Sequence, residues 1–184
     1  MRYVALILAL MLAACGRQGF HMTDISGAMP RLDFHMVRAS DGEAVTGENY
    51  RGKVVLLYFG YTNCPDVCPA TLANIAGMLA KVHSKEVQVL FVTVDPKRDT
   101  LSALKQYAAA FSLRIEGLRG SDNQLADLAR RYRVAYSVDA GPPYTVMHSN
   151  AVFFFDRDGR SRLVTTSTDD VDGMAEDVEK LLNG

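Results

Sequence analysis

Val54-Val55-Leu56-Leu57-Tyr58-Phe59-Gly60-Tyr61-Thr62-Asn63-Cys64-Pro65-Asp66-Val67-Cys68-Pro69 joins an unbroken apolar run to a pair of thiols. Six apolar residues in a row, two β-branched at one end and two aromatic at the other, suit a strand buried on both faces of a sheet. Leu72, Ile75, Leu79 and Val82 follow at helical spacing, so the thiols sit where a strand hands over to a helix. Open α/β sheets place ligands at that carboxyl end of their strands. Cys64 and Cys68 are four apart, which on a helical turn puts both sulfurs on one face. Pro65 and Pro69 disfavour helical geometry at the residues before them. An irregular first turn is therefore expected, with the regular helix beginning near Pro69, a position that tolerates proline.

The same pattern continues outward. Val87 to Val94 reads as a second buried strand, and Leu101, Leu104, Ala108 and Phe111 mark a helix. Ser121-Asp122-Asn123-Gln124 resembles a capping box that opens a helix carrying Leu125, Leu128, Ala129 and Tyr132 on one face. Val152 to Phe155 is a third buried strand, Asp158-Gly159 a hairpin turn, and 161–165 the returning strand. Val171, Met174, Val178 and Leu181 form a terminal amphipathic helix. Upstream, 32–37 and 43–46 flank the turn residues Ser40-Asp41-Gly42 and read as a hairpin. Strands alternating with helices, followed by a terminal hairpin, define an α/β domain with a mixed sheet. A thioredoxin-like arrangement has this element order.

A chain of 184 residues suits one globular domain. A net charge of −1 carries no basic excess to attract nucleic acid. The apolar run Val4 to Leu12 after Arg2 is too short for a bilayer, which takes about 20 residues, and fits a secretory signal. Leu12-Ala13-Ala14-Cys15-Gly16 resembles the lipobox of bacterial lipoproteins, in which the cysteine is lipidated. The expected organisation is a signal at 1–14, a tether at 15–29 anchored through Cys15, and a folded domain over 30–184. Such a protein faces the periplasm from a membrane.

With Cys15 lipidated, Cys64 and Cys68 are the remaining thiols, in an oxidising compartment. A disulfide between them would close a loop too short to stabilise the fold much. That favours reactivity or metal binding, and spacing alone leaves those two open. A helix N-terminus lowers a thiol pKa and supplies thiolate, which is both a redox nucleophile and a soft ligand suited to Cu(I). A metal would need a third ligand. The candidates are His21 in the tether, His35 on the first hairpin, His83 at a helix end and His148 in a loop before the third buried strand. In a thioredoxin-like sheet that strand runs antiparallel to the thiol strand, which would carry His148 to the thiols.

Three pieces of the chain together resemble the Sco/SenC family: Gly52 through Pro69, Val94-Asp95-Pro96-Lys97-Arg98-Asp99-Thr100, and His148-Ser149. The resemblance covers about residues 20–183. It implies a thioredoxin-like fold and a copper-binding metallochaperone that helps assemble the dinuclear copper centre of cytochrome c oxidase. By residue match, Cys64 and Cys68 would be thiolate ligands and His148 the imidazole ligand, for Cu(I) and also Cu(II). Asp95 would lie behind the ligands, orienting them or tuning their charge, and Asp66 would serve the helix start or a partner contact. Implied partners are the oxidase's copper-bearing subunit, other periplasmic copper chaperones and thiol reductants. Many relatives carry Asp where this chain has Met147, which is expected to pack. The alternative is a thiol–disulfide reductase that keeps the oxidase's copper-site cysteines reduced, with Cys64 and Cys68 as the reacting pair. The spacing is Cys-x-x-x-Cys rather than the Cys-x-x-Cys of thioredoxin-type enzymes, and no Pro-x-x-x-Thr-x-x-Cys pattern of peroxide reductases surrounds Cys64.

Overall fold

The computed structural model describes residues 19–184; the expected signal and Cys15 lie outside the described residues. In chain order the elements are β1 (Thr23–Asp24), β2 (His35–Arg38), β3 (Ala44–Thr46), β4 (Val54–Gly60), α1 (Val67–Lys81), β5 (Val87–Thr93), α2 (Leu101–Phe111), β6 (Ile115–Arg119), α3 (Asp122–Arg131), β7 (Tyr136–Asp139), β8 (Thr145–His148), β9 (Val152–Phe155), β10 (Ser161–Thr165) and α4 (Val171–Asn183). An eight-stranded mixed sheet runs β1-β10-β9-β4-β5-β6-β2-β3, and β7 and β8 form a separate two-stranded ribbon.

The continuous apolar run takes the centre of the sheet. β4 pairs in parallel with β5 from Val54↔Val87 to Gly60↔Thr93, and antiparallel with β9 from Val55↔Phe155 to Tyr58↔Val152. All seven residues of β4 and of β5 are buried, which is why neither alternates polar with apolar. The antiparallel β4–β9 pair is the one expected to bring the segment before β9 beside the thiols. α2 starts at Thr100, whose hydroxyl accepts from the Ala103 amide, and α3 at the reciprocal Ser121–Gln124 box read from sequence. Gly42 takes the first hairpin's turn with φ at 78°, a conformation that costs glycine little. The Lys81–Asp172 ion pair, at 2.9 Å, ties the end of α1 to α4.

Three differences from the sequence reading have physical causes. The chain docks well before Pro30: Phe20, Met22, Ile25 and Met29 pack on the core, and Thr23–Asp24 pairs with β10. The Met22 amide donates to the buried Asp177 carboxylate at 2.9 Å. Four apolar residues scattered among Gly, Ser and Asp carry no period, so composition read this docked edge as tether. β6 went unread because Glu116 and Arg119 interrupt it. Tyr50 donates its hydroxyl to Glu116 at 2.7 Å, and Arg119 donates to the Pro96 carbonyl at 2.7 Å, so partners distant in sequence satisfy both charges. Finally, His148 ends strand β8 rather than lying in a loop.

Candidate metal centre

The thiol turn is built between β4 and α1. α1 begins at Val67, earlier than Pro69, and its N-cap residue Asp66 makes no side-chain cap bond. The Cys64 sulfur does that work: the Cys68 amide donates to Cys64 Sγ at 3.3 Å. An orphan helix amide is thereby satisfied by sulfur. Asp66 is exposed, consistent with a helix-start or contact residue rather than a ligand.

Gly60 was not singled out in the sequence, and the structure shows why it is glycine. A Cβ there would lie 2.8 Å from Cys68 Sγ and 2.6 Å from Phe91 Cε2. Only a bare backbone lets the sulfur of Cys68, 0% exposed, sit against the end of β4. A second unread residue is Asp99, also 0% exposed. It accepts from the Thr62 amide at 3.0 Å, the Thr62 hydroxyl at 2.6 Å and the Thr93 hydroxyl at 2.6 Å. The residues before Cys64 are thus pinned to the end of β5. The sequence signal was there, in the Val94–Thr100 segment that carries both aspartates, but it drew attention to Asp95 instead.

His148 arrives from the β7–β8 ribbon. Its Nε2 lies 3.2 Å from Cys68 Sγ, while its Nδ1 is 3.0 Å from the Ser149 carbonyl. A carbonyl can only accept, so Nδ1 carries the proton and Nε2 presents its lone pair to the sulfurs. The Tyr61 ring meets the imidazole edge-on at 5.8 Å, and Tyr58 does so at 6.1 Å. The donor atoms of Cys64, Cys68 and His148 all fall within 4.8 Å of one another, and no other group of three such donors gathers among the described residues. His21 instead pairs with Glu176 at 2.9 Å, and His35 and His83 are exposed.

The two thiols are free and unlike. Burial pushes Cys64 up, but the Cys68 amide and thiol, the Asp66 amide and the Tyr61 hydroxyl outweigh it and hold Cys64 below its ordinary value. Burial pushes Cys68 up to about 12, with Cys64 adding to the rise. Burial lowers the His148 pKa, partly offset by its bond to Ser149, which favours the neutral imidazole a metal requires.

Asp95 does not touch the thiols. Buried at 1% exposure, it accepts from the Tyr144 hydroxyl at 2.8 Å and pairs with Arg98. The Arg98 guanidinium lies 3.8 Å from the centre of the Tyr144 ring and 5.9 Å from that of Tyr61. Met147, expected to pack, is 70% exposed. On a two-stranded ribbon its side of the strand has no layer to cover it.

Fold and site define a thioredoxin-like protein with two thiols and one imidazole gathered at the carboxyl end of the central strand. The family model SCO1/SenC matches residues 27–183, and the chain belongs to that family. The bovine (Bos taurus) protein SCO2 homolog, mitochondrial, is 42% identical over 118 residues, covering 60% of this chain and 44% of the bovine one. The chain spans about half the length of the curated relatives it matches. Among solved structures, Arabidopsis thaliana ScoI with copper bound is 32% identical with a TM-score of 0.76, over 83% of this chain and 98% of that one. Apo Sco1 from Thermus thermophilus is also 32% identical, with a TM-score of 0.80 over 91% and 99%.

Proposed function

We propose that this chain is a copper metallochaperone in which Cys64 and Cys68 thiolates and His148 Nε2 hold one copper ion as cargo. The observation that carries the reading is the convergence of those three donors within 4.8 Å from two separate parts of the fold. Two soft thiolates favour Cu(I), and the imidazole also accommodates Cu(II). Copper in the similar Arabidopsis ScoI supports the same cargo. The half-buried Cys64 lies at the rim and Cys68 below it, so a partner's ligand can attack the metal from the Cys64 side and take it by exchange. The client we infer is the copper-bearing subunit of cytochrome c oxidase, whose dinuclear centre would receive the ion. Other periplasmic copper chaperones would load the site, and thiol reductants would keep it open.

The setting we infer is the periplasmic face of a membrane, with Cys15 as lipid anchor. The Leu12–Gly16 pattern supports it. No helix among the described residues is long and apolar enough to cross a membrane.

The test is a Cu(I) titration of the reduced protein against a competing chelator. One tight copper per chain is expected, abolished by Cys64→Ser and weakened about tenfold or more by His148→Ala. A wild type without a tight site overturns the reading.

A second reading rests on the thiol asymmetry. Cys64, held below its ordinary pKa and half-buried, is built as a nucleophile. Its thiolate would attack a client disulfide, joining one client sulfur and releasing the other as thiol. Cys68 would then displace the client, leaving a Cys64–Cys68 disulfide and a dithiol client, two electrons transferred. Under this reading Cys68→Ser accumulates a mixed disulfide through Cys64 with a disulfide-bearing copper-site peptide. No adduct in that variant counts against it.

A further inference from the structure

The imidazole of the candidate site hangs on an element that the main sheet does not hold. β7 and β8 pair only with each other among the described residues, from Tyr136↔His148 to Asp139↔Thr145. Along the second strand and the residue before it, Tyr144, Val146 and His148 are partly buried, while Thr145 and Met147 are exposed. The alternation of a strand therefore puts Tyr144, Val146 and His148 on the face turned to the body. Two attachments hold that face to the body, above a base that the ribbon closes on itself. At the base the Ser149 amide donates to the Ala135 carbonyl at 2.9 Å, and the Ala135 amide to the Ser149 hydroxyl at 3.0 Å. Tyr136, paired with His148, and Val146, the next pleat out, pack on the core. At the far end Tyr144 is held through its hydroxyl by Asp95 and across its ring by Arg98.

We propose that Tyr144, held by Asp95 and Arg98, is a positioning residue for copper: it latches the β7–β8 ribbon against the body so that His148 stands over the two sulfurs. This deepens the copper-chaperone reading and rests on it.

Tyr144, the residue just before β8, and His148, its last, lie four residues apart, about 13 Å along extended backbone, and an isolated two-stranded ribbon has little stability of its own. The far attachment therefore sets the tilt that the near residue inherits. Asp95 is a strong anchor because it is buried and pinned by its own neighbours. Its amide donates to the Thr93 hydroxyl at 3.0 Å, one carboxylate oxygen accepts from Arg98, and the other accepts from the Tyr144 hydroxyl. Arg98 also spans from the Tyr144 ring towards Tyr61, whose edge rests on the imidazole. The latch and the ligand thus share a wall. This gives Asp95 a role at the site without contact with either sulfur.

The test uses the reduced, full-length protein with Tyr144→Ala and Tyr144→Phe, each alone and combined with His148→Ala. Two quantities are read: Cu(I) affinity against a competing chelator, and amide hydrogen exchange of the metal-free protein. Tyr144→Ala is expected to weaken Cu(I) about tenfold. Tyr144→Phe, which keeps the ring under Arg98 but loses the hydroxyl, is expected to weaken it less. Neither is expected to weaken it further once His148 is gone, because the coupling runs through the imidazole. Exchange should quicken over 136–148 and stay unchanged in β4, β5 and α1. Wild-type affinity in Tyr144→Ala overturns the latch, as does an equal loss with and without His148. Should His148→Ala alone bind copper like the wild type, the ligand assignment fails. The exchange experiment then judges the latch separately, and an unchanged ribbon in Tyr144→Ala overturns it.

Discussion

The candidate site joins two unlike halves of the molecule. The thiol half lies in the centre of an eight-stranded sheet, between a strand with every residue buried and a helix packed on α4. The imidazole half lies on a two-stranded ribbon whose residues are mostly exposed. One half is fixed by close packing and by Asp99, the other by a handful of directional contacts. A carrier must hold its ion and also let it go. Under the copper-chaperone reading, two ligands in rigid structure and the third on a tethered arm would separate those demands: the sulfurs would define where copper sits, and the arm how firmly it is held.

The contrast breaks first in the core. Leu57 is fully buried at the middle of β4, opposite Leu90 and Phe153. Leu57→Ala is expected to cost about 2–5 kcal/mol, measured by denaturant unfolding. Val146→Ala on the ribbon should cost no more than about 1 kcal/mol. Equal costs would mean that the ribbon belongs to the cooperative core after all.

Next comes the pin of the thiol turn. Asp99→Ala removes the acceptor of three donors in a dry site and is expected to destabilise by about 3 kcal/mol, again by denaturant unfolding. Asp99→Asn keeps an acceptor and should lose less. An Asp99→Ala protein as stable as the wild type would show that the turn is held by the strand and helix alone.

A third expectation concerns the two sulfurs themselves. Cys64 lies below its ordinary pKa and Cys68 at about 12. Near pH 8 a larger share of Cys64 is thiolate, and Cys68 is almost wholly thiol. Raising the pH should bring Cys68 into reaction only in strongly alkaline solution. Iodoacetamide added to the reduced, metal-free protein should therefore modify Cys64 more than about ten times faster than Cys68, read by peptide mass spectrometry. Equal rates would mean that the buried sulfur is far more open than its position beneath Gly60 implies.

What could be read from sequence follows the same division. β4 and β9 are continuous apolar runs, and β5 is nearly one with Gln88 as its only internal polar residue, because both their faces are covered; the four helices carry one apolar stripe each, so local pattern suffices. Ser121 and Gln124 satisfy each other within one turn, which makes that start visible at three residues' distance. The ribbon has no such signature: Tyr136, Val138 and Val146 alternate weakly, and Val138 and Met147 are exposed. Its partner is itself, and its anchor is Asp95, 49 positions from Tyr144. Gly60 and Asp99 escaped for a related reason. One is defined by the room a sulfur needs, the other by hydroxyls at Thr62 and Thr93, and neither neighbour is predictable without the fold. Cys64, Cys68 and His148 were legible because their chemistry is scarce in this chain and the family resemblance names them.

The smallest expected effect is at Met147, and it isolates the ligand from its neighbour. Met147 precedes His148, carries a thioether that copper would accept, and is 70% exposed. Strand alternation turns it to the opposite side from the imidazole, so it can neither join the three donors nor support the latch while β8 keeps its register with β7. Met147→Leu removes the sulfur and keeps the bulk. It is expected to change stability by less than about 0.5 kcal/mol and to leave Cu(I) affinity, read with the competing chelator, within about twofold of the wild type. A loss as large as that of His148→Ala would require the thioether to face the thiols. That would mean a ribbon slipped by one residue when copper is bound, with the latch at Tyr144 released in the same step.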